Sequence, residues 1–293
     1  MIKRLFKSLC WRLYYRPFGS YRLNQWKKPE IDDIYISLEK LIQSDKSLAR
    51  FGNGEFDIIW GLSEGFQKPS ESLGTRLKEI LHSQSDNLLI GITDFYHHIP
   101  NLRPHEQIFA YTWTRRNANR IIKLLGQGGH YVNTYVSRPY SSYTDVAAYI
   151  EKFKTIWNGK PLYVIEGEKC RVGVGNNLFD NALYVKRIEA PAENAWDKYD
   201  DILNVAKKLI PKGSVIFMAL GATATVLAYD LAALGYKAMD LGHLDIEYEY
   251  YRYKATGKMK IPGKYVNEVE GGSEVDDLIL DDDFKKSILC VIK

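Results

Sequence analysis

Two hydrophobic rhythms alternate along the chain. Apolar residues spaced three to four apart predict amphipathic helices in DDIYISLEKLIQSD (32–45), ESLGTRLKEILHSQ (71–84), TWTRRNANRIIKLLG (112–126), TDVAAYIEKFKTIW (144–157), AWDKYDDILNVAKKLI (195–210) and TATVLAYDLAALG (223–235). The last of these ends at Gly235, a residue suited to the left-handed backbone that closes a helix. Short apolar runs between them predict strands: SLARFG (47–52), NLLIGI (87–92), HYVNTYV (130–136), PLYVIEG (161–167), part of NALYVKRIEA (181–190), GSVIFMALG (213–221) and KAMDLG (237–242), the last clear one. Several runs are apolar on both faces, as expected of strands covered by helices on each side. The alternation predicts an α/β fold with an open, largely parallel sheet. No repeat, low-complexity stretch or long linker interrupts it. The organisation expected is one domain over 29–293, preceded by a distinct segment over 1–28.

Open α/β sheets bind ligands where their strands end, so the residues that follow each strand carry the functional signal. These exits read RFGNGE (50–55), TDFYHH (93–98), SRPY (137–140), EGEKCRVGVGNN (166–177), LGATAT (220–225) and GHLDIE (242–247). At LGATAT, Gly221 lets backbone approach a ligand, and Thr223 lies near a helix N-terminus that favours an anion; a simple N-cap is the alternative. Arg50 and Arg138 suit a diphosphate held by paired hydrogen bonds, or else a salt bridge to an acid such as Glu55. Gly173-x-Gly175 lacks the third glycine of a dinucleotide fingerprint, with Leu178 in its place. Arg171, Gly175 and Asn176 remain candidates for a diphosphate or sugar, against a plain turn. Asp245 and Glu247 converge only if their backbone is turned or extended; then their oxygens suit Mg²⁺ or Mn²⁺. Glu249 is expected as the first outward acid of a following helix. Adjacent His97 and His98 do not converge readily on one ion.

Composition adds limits. Only three cysteines occur, none at metal-ligand spacing, which points to a reducing cytoplasm and no structural zinc. The net charge of +4 hides an asymmetry: residues 1–28 hold eight Lys/Arg and no acid, leaving 32 basic and 36 acidic residues in the rest. The main body therefore offers no case for nucleic acid. Ile2, Leu5, Phe6, Leu9 and Leu13 fall at helical spacing in the basic segment, flanked by Trp11, Tyr14 and Tyr15. That pattern fits a helix lying on an anionic membrane at the inner face of the cell, or one docked on protein. No run approaches the roughly 20 apolar residues of a membrane span. The 268–293 tail, with its DDLILDDDF acids, is expected as a solvated helix or strand without chemistry.

The ordered set ARFGNGEFDIIWG, SRPY, EGEKCRVGVGNNLFDNA, NAWDKYDDIL, LGATATVLAYDLAALGY and GHLDIEYEYY, over about 47–253, resembles the GT-D-type glycosyltransferases, first catalogued as a bacterial domain of unknown function. The resemblance implies a Rossmann-like fold with helices on both faces. It also implies sugar transfer from a UDP-sugar with a divalent metal, Mn²⁺ or Mg²⁺, and a DxE motif. Asp245 and Glu247 would then be the metal pair. Acceptors would be a glycan, a lipid-linked glycan or a glycoprotein, in surface polysaccharide or adhesin glycosylation. The RFGNGE exit, through Arg50, Gly52 and Asn53, would face the donor; members often carry Asp where this chain has Asn53. Such a transfer needs a base, for which Glu55 is the first candidate and His243 the second. A non-catalytic nucleotide-binding module, and a different phosphate-handling enzyme, are the competing readings.

Overall fold

The computed structural model describes residues 25–63, 65–94, 102–142, 144–275 and 282–293. Residues 1–24 of the basic segment, and both His97 and His98, lie outside the described residues. Strands are β1 (Glu30–Ile31), β2 (Ser47–Phe51), β3 (Leu88–Ile92), β4 (His130–Asn133), β5 (Pro161–Gly167), β6 (Tyr184–Ala190), β7 (Val215–Ala219), β8 (Lys237–Asp240) and β9 (Ile288–Val291). Helices are α1 (Ile34–Gln43), α2 (Asn53–Ile59), α3 (Glu71–Leu81), α4 (Pro104–Leu125), α5 (Val146–Lys154), α6 (Tyr199–Leu209), α7 (Ala222–Ala233), α8 (Leu244–Arg252) and α9 (Asp282–Ser287). Among the described residues, no helix is long and apolar enough to cross a membrane.

The nine strands form one sheet in the order β1-β4-β3-β2-β8-β7-β5-β6-β9, and each neighbouring pair is parallel. The alternating strand and helix pattern thus becomes the open α/β sheet it predicts. From β2 the chain steps outward through β3 to β4, whereas β8, β7 and β5 build the other half. β2 and β8 therefore meet where the winding reverses, and a crevice opens at their C-terminal ends. Side-chain alternation splits the core in two. Ala49, Phe51, Ile216 and Met218 pack one face with α3, α4, α6 and α7; Leu48, Val215 and Phe217 pack the other with α1, α5 and α8. Helix α7 is apolar around most of its surface because it is packed deep against the central strands.

Local signals account for several ends. Asp33 caps α1, Ser70 caps α3 and Asp145 caps α5, each accepting from a first-turn amide. Gly235 follows α7 at φ +79°, as its placement predicts. One expectation fails at its edge. HYVNTYV is a strand only through Asn133, whose side chain accepts from Tyr135 N and starts a 3₁₀ turn at Thr134–Ser137. KAMDLG is the last clear strand, and the tail, expected as a helix or strand, adds the short β9, which pairs with β6 at the sheet edge, where half-exposed positions need no long apolar run.

Candidate active site

A cavity of about 390 Å³ opens at the C-terminal ends of the central strands. Its floor is built by Arg50 from β2 and Asp240 from β8. Arg50 donates from Nε to the Asp240 carbonyl at 2.6 Å and from Nη2 to Asp240 Oδ1 at 2.8 Å. The acid partner of Arg50 is thus Asp240 on the neighbouring strand, not Glu55. The Thr225 hydroxyl, one turn into α7, lies 3.1 Å from the Arg50 carbonyl and 3.2 Å from Asp240 Oδ2. Gly242, at φ +44°, leaves room for the guanidinium: a Cβ there would stand 2.3 Å from Arg50 Nη2. Burial raises the Asp240 carboxyl, opposed by Arg50.

A second ion network spans the cavity wall. Arg138, just past the 3₁₀ turn after β4, donates to both oxygens of Glu268 at 2.7 and 3.4 Å. It also stands 3.5 Å from Glu247 Oε1. Lys258 Nζ bridges Glu268 Oε2 at 3.1 Å and Glu106 Oε1 at 2.8 Å, and the Tyr135 hydroxyl donates to Glu106 Oε2 at 3.1 Å. Burial works against ionising Glu268, but Arg138 and its other neighbours outweigh it and hold the carboxyl well below its usual range. Arg138 Nη2 also donates to His243 Nδ1 at 3.1 Å, so the ring proton sits on Nε2 and points to Asn267 Oδ1 at 3.1 Å. Burial pushes His243 down to about 4 against the pull of Glu268, leaving the imidazole neutral near pH 7. The 268–293 tail, expected to carry no chemistry, therefore contributes Glu268 to this wall.

The acids of GHLDIEYEYY do not lie on an extended backbone. Helix α8 begins at Leu244, so Asp245 and Glu247 diverge by about 200° around its axis. Asp245 accepts from Lys264 Nζ at 2.5 Å and Asn176 Nδ2 at 2.7 Å. Glu247 accepts from Ser141 N and Oγ, both at 2.7 Å. Glu249, expected to face outward, is buried and takes Asn176 Nδ2 at 2.6 Å and Arg252 Nη1 at 3.0 Å. The helix turns Asp245 and Glu249, four residues apart, to one side and Glu247 to the other. Asp245 and Glu247 do not fit a shared cation here, because they point apart and their oxygens already accept from N–H and O–H donors. Among the described residues, no three His, Cys, Asp or Glu side chains gather as a metal site.

The remaining expected residues divide into two groups. Gly52, Asn53, Glu55 and Gly221 line the cavity with Arg50, Arg138, His243 and Asp245. Glu55 Oε2 accepts from Gly52 N at 2.7 Å and so caps α2 from its third position. Gly221, at φ +52°, admits the Phe66 ring, whose nearest carbon would be 1.8 Å from an added Cβ. Arg171, Gly175, Asn176 and Thr223 are not among the lining residues. Arg171 Nη1 donates to the Gly263 carbonyl at 2.8 Å, the Gly175 carbonyl accepts from Arg252 Nη1 at 2.8 Å, and Asn176 serves the α8 acids. Thr223 is buried in the second position of α7. Asp240, Glu106, Lys258 and Glu268 line the cavity without having been expected there. Asp240 carried a readable signal, an acid at the end of an apolar strand; the other three did not.

Comparison with known proteins places this architecture. The sequence profile of the glycosyltransferase GT-D fold matches residues 48–269. The chain belongs to the GT-D glycosyltransferase family. It is 34% identical over 79% of its length to a probable glycosyl transferase, Gly, of Streptococcus gordonii, and 30% identical over 90% to glycosyltransferase GlyD of Streptococcus pneumoniae serotype 4. It spans about a third of the length of these curated relatives, 34% and 32% respectively. A solved structure described as the highly conserved domain of unknown function 1792 with a distinct glycosyltransferase fold is matched with a TM-score of 0.86 at 33% identity, covering 94% of this chain and 100% of that one. A glycosyltransferase structure from Streptococcus sanguinis is matched with a TM-score of 0.83 at 30% identity, covering 91% of this chain and all, 100%, of that one. This GT-D chain thus keeps its cavity at the place where a doubly wound sheet holds a ligand.

Proposed function

We propose that the protein transfers a sugar from a UDP-sugar, bound in the cavity at the β2–β8 crevice, to a hydroxyl of a glycan or glycoconjugate. The observation that carries this reading is that the α7 start at Gly221, the cation Arg138 and the Glu55 carboxylate all line the same cavity. A leaving diphosphate needs donors aimed at its charge, and a guanidinium and free helix amides supply them. An acceptor hydroxyl needs a carboxylate or imidazole to take its proton. Between the two candidates the geometry favours Glu55. His243 receives Arg138 on Nδ1 and carries its proton on Nε2, so it holds the guanidinium in place. The streptococcal relatives, named as glycosyltransferases, support glycosyl transfer as the reaction class.

The test is UDP release from a panel of UDP-sugars by the purified protein with candidate glycan acceptors, in Mn²⁺ and in EDTA. Turnover with at least one donor is expected, and Glu55→Gln should lower it by about two orders of magnitude or more while UDP still binds. If no nucleotide sugar is bound or turned over, the reading fails. Binding of UDP-sugars without turnover by any acceptor would favour a non-catalytic nucleotide-binding module. The EDTA arm reads the metal dependence directly.

A further inference from the structure

We propose that Glu268 is a competitor for the donor built into the chain: its carboxylate holds the Arg138 guanidinium that a diphosphate needs, and donor binding displaces it. This inference rests on the UDP-sugar reading above.

Glu268 belongs to no helix or strand. It sits in a turn, 266–272, that is closed at its base. Val266 N donates to the Gly272 carbonyl at 2.9 Å, and Gly272 N donates to the Val269 carbonyl at 3.0 Å. Val266 is packed in the core, which fixes that base. A Cβ on Gly272 would stand 2.1 Å from the Val266 carbonyl oxygen, so the closure needs glycine there. The turn then meets the cavity wall through two polar side chains. Asn267 accepts from His243 Nε2 at 3.1 Å, and Glu268 accepts from Arg138 and Lys258.

Arg138 turns Nη1 to one Glu268 oxygen at 3.4 Å and Nη2 to the other at 2.7 Å. A guanidinium grips a phosphate by the same pairing, so carboxylate and diphosphate compete for it. Lys258 does not relieve the competition, because it already lies 2.8 Å from Glu106 and 3.1 Å from Glu268. Burial opposes ionising either acid, yet Arg138 and Lys258 outweigh it and hold both carboxyls below their ordinary range. Two cations therefore face two carboxylates, with no surplus positive charge for a ligand. In a buried, weakly screened site, a diphosphate is repelled unless one carboxylate leaves. Glu268 has the route out: its side chain is 20% exposed, against 6% for Glu106 and 1% for Glu247.

The experiment is calorimetric titration of the full chain and of Glu268→Gln with UDP and with uridine. The substitution keeps the size of the side chain and removes its charge. UDP should bind Glu268→Gln about tenfold or more tighter than wild type, the scale of one charge-assisted contact released. Uridine, which carries no phosphate, should bind both alike. A second measurement needs no variant: UDP should speed amide hydrogen exchange across 264–274 of the wild type, because the turn loses its hold on Arg138. UDP affinity in Glu268→Gln equal to or below that of wild type, an equal gain for uridine, or unchanged or slower exchange in that segment overturns the competition and leaves the UDP-sugar reading intact. Failure of both proteins to bind UDP overturns both.

Discussion

The sheet carries a cavity at each end, and the two differ in the state of their charges. The one at the strand C-termini measures about 390 Å³; the other, against the starts of β3 and β4, about 440 Å³. At the second, Asp32 lies 2.5 Å from Lys40 Nζ and 2.8 Å from His130 Nε2, with the Lys40 and His130 side chains 40% and 50% exposed. Helices end there, and His82 lies between two of their carbonyls, with one ring nitrogen 2.8 Å from that of Lys78 and the other 2.8 Å from that of Leu124. At the first cavity helices begin, and Arg138 is 16% exposed between Glu247 at 1% and Glu268 at 20%. Size does not separate the two cavities. Burial of mutually dependent charges does, because desolvated ions interact strongly with one another and with a ligand, whereas solvated ones are screened.

The sharpest way to break the contrast is Arg138→Met. It leaves Glu247 and Glu268 facing each other without their shared cation, and removing one partner of a buried network costs about 3–5 kcal/mol. Urea unfolding should show that loss, and turnover of any UDP-sugar should fall with it. The next effect is acid sensitivity. Folded-state values of Glu106 and Glu268 lie below their ordinary range, so their contribution is fully present above about pH 4.5 and is lost as pH falls through the folded values. Glu268→Gln should therefore flatten the decline of melting temperature between about pH 4.5 and pH 3 relative to wild type. An unchanged slope would mean that Glu268 is not held ionised by Arg138. The smallest effect belongs to the other end: Lys40→Met should cost no more than about 1 kcal/mol by the same unfolding measurement.

Most of the fold was legible because periodicity reports burial, and burial on both faces identifies a helix-covered sheet. Arg50, Gly52, Asn53, Glu55, Arg138, Gly221, His243 and Asp245 were legible as cavity residues because they lie at strand exits, where the fold class itself directs ligands. Arg171, Gly175, Asn176 and Thr223 occupy similar exits yet face the protein, since an exit sequence does not say which way a loop turns. Lys258 and Glu268 come from irregular chain after α8 and have no periodic signature.

The sequence by itself determined the class of the sheet, the strand ends that would matter and the residue types available there. Tertiary structure alone decided which charges meet. It put Asp240 rather than Glu55 against Arg50, and Glu268 across from Arg138 over 130 residues of chain. It also wound GHLDIEYEYY into a helix, which sends Asp245 to Lys264 and Glu247 to Ser141. The physical reason is range. Hydrophobic period and turn chemistry are local properties of neighbouring residues, whereas the pairing of buried ions depends on distances that exist only once the sheet has closed its order.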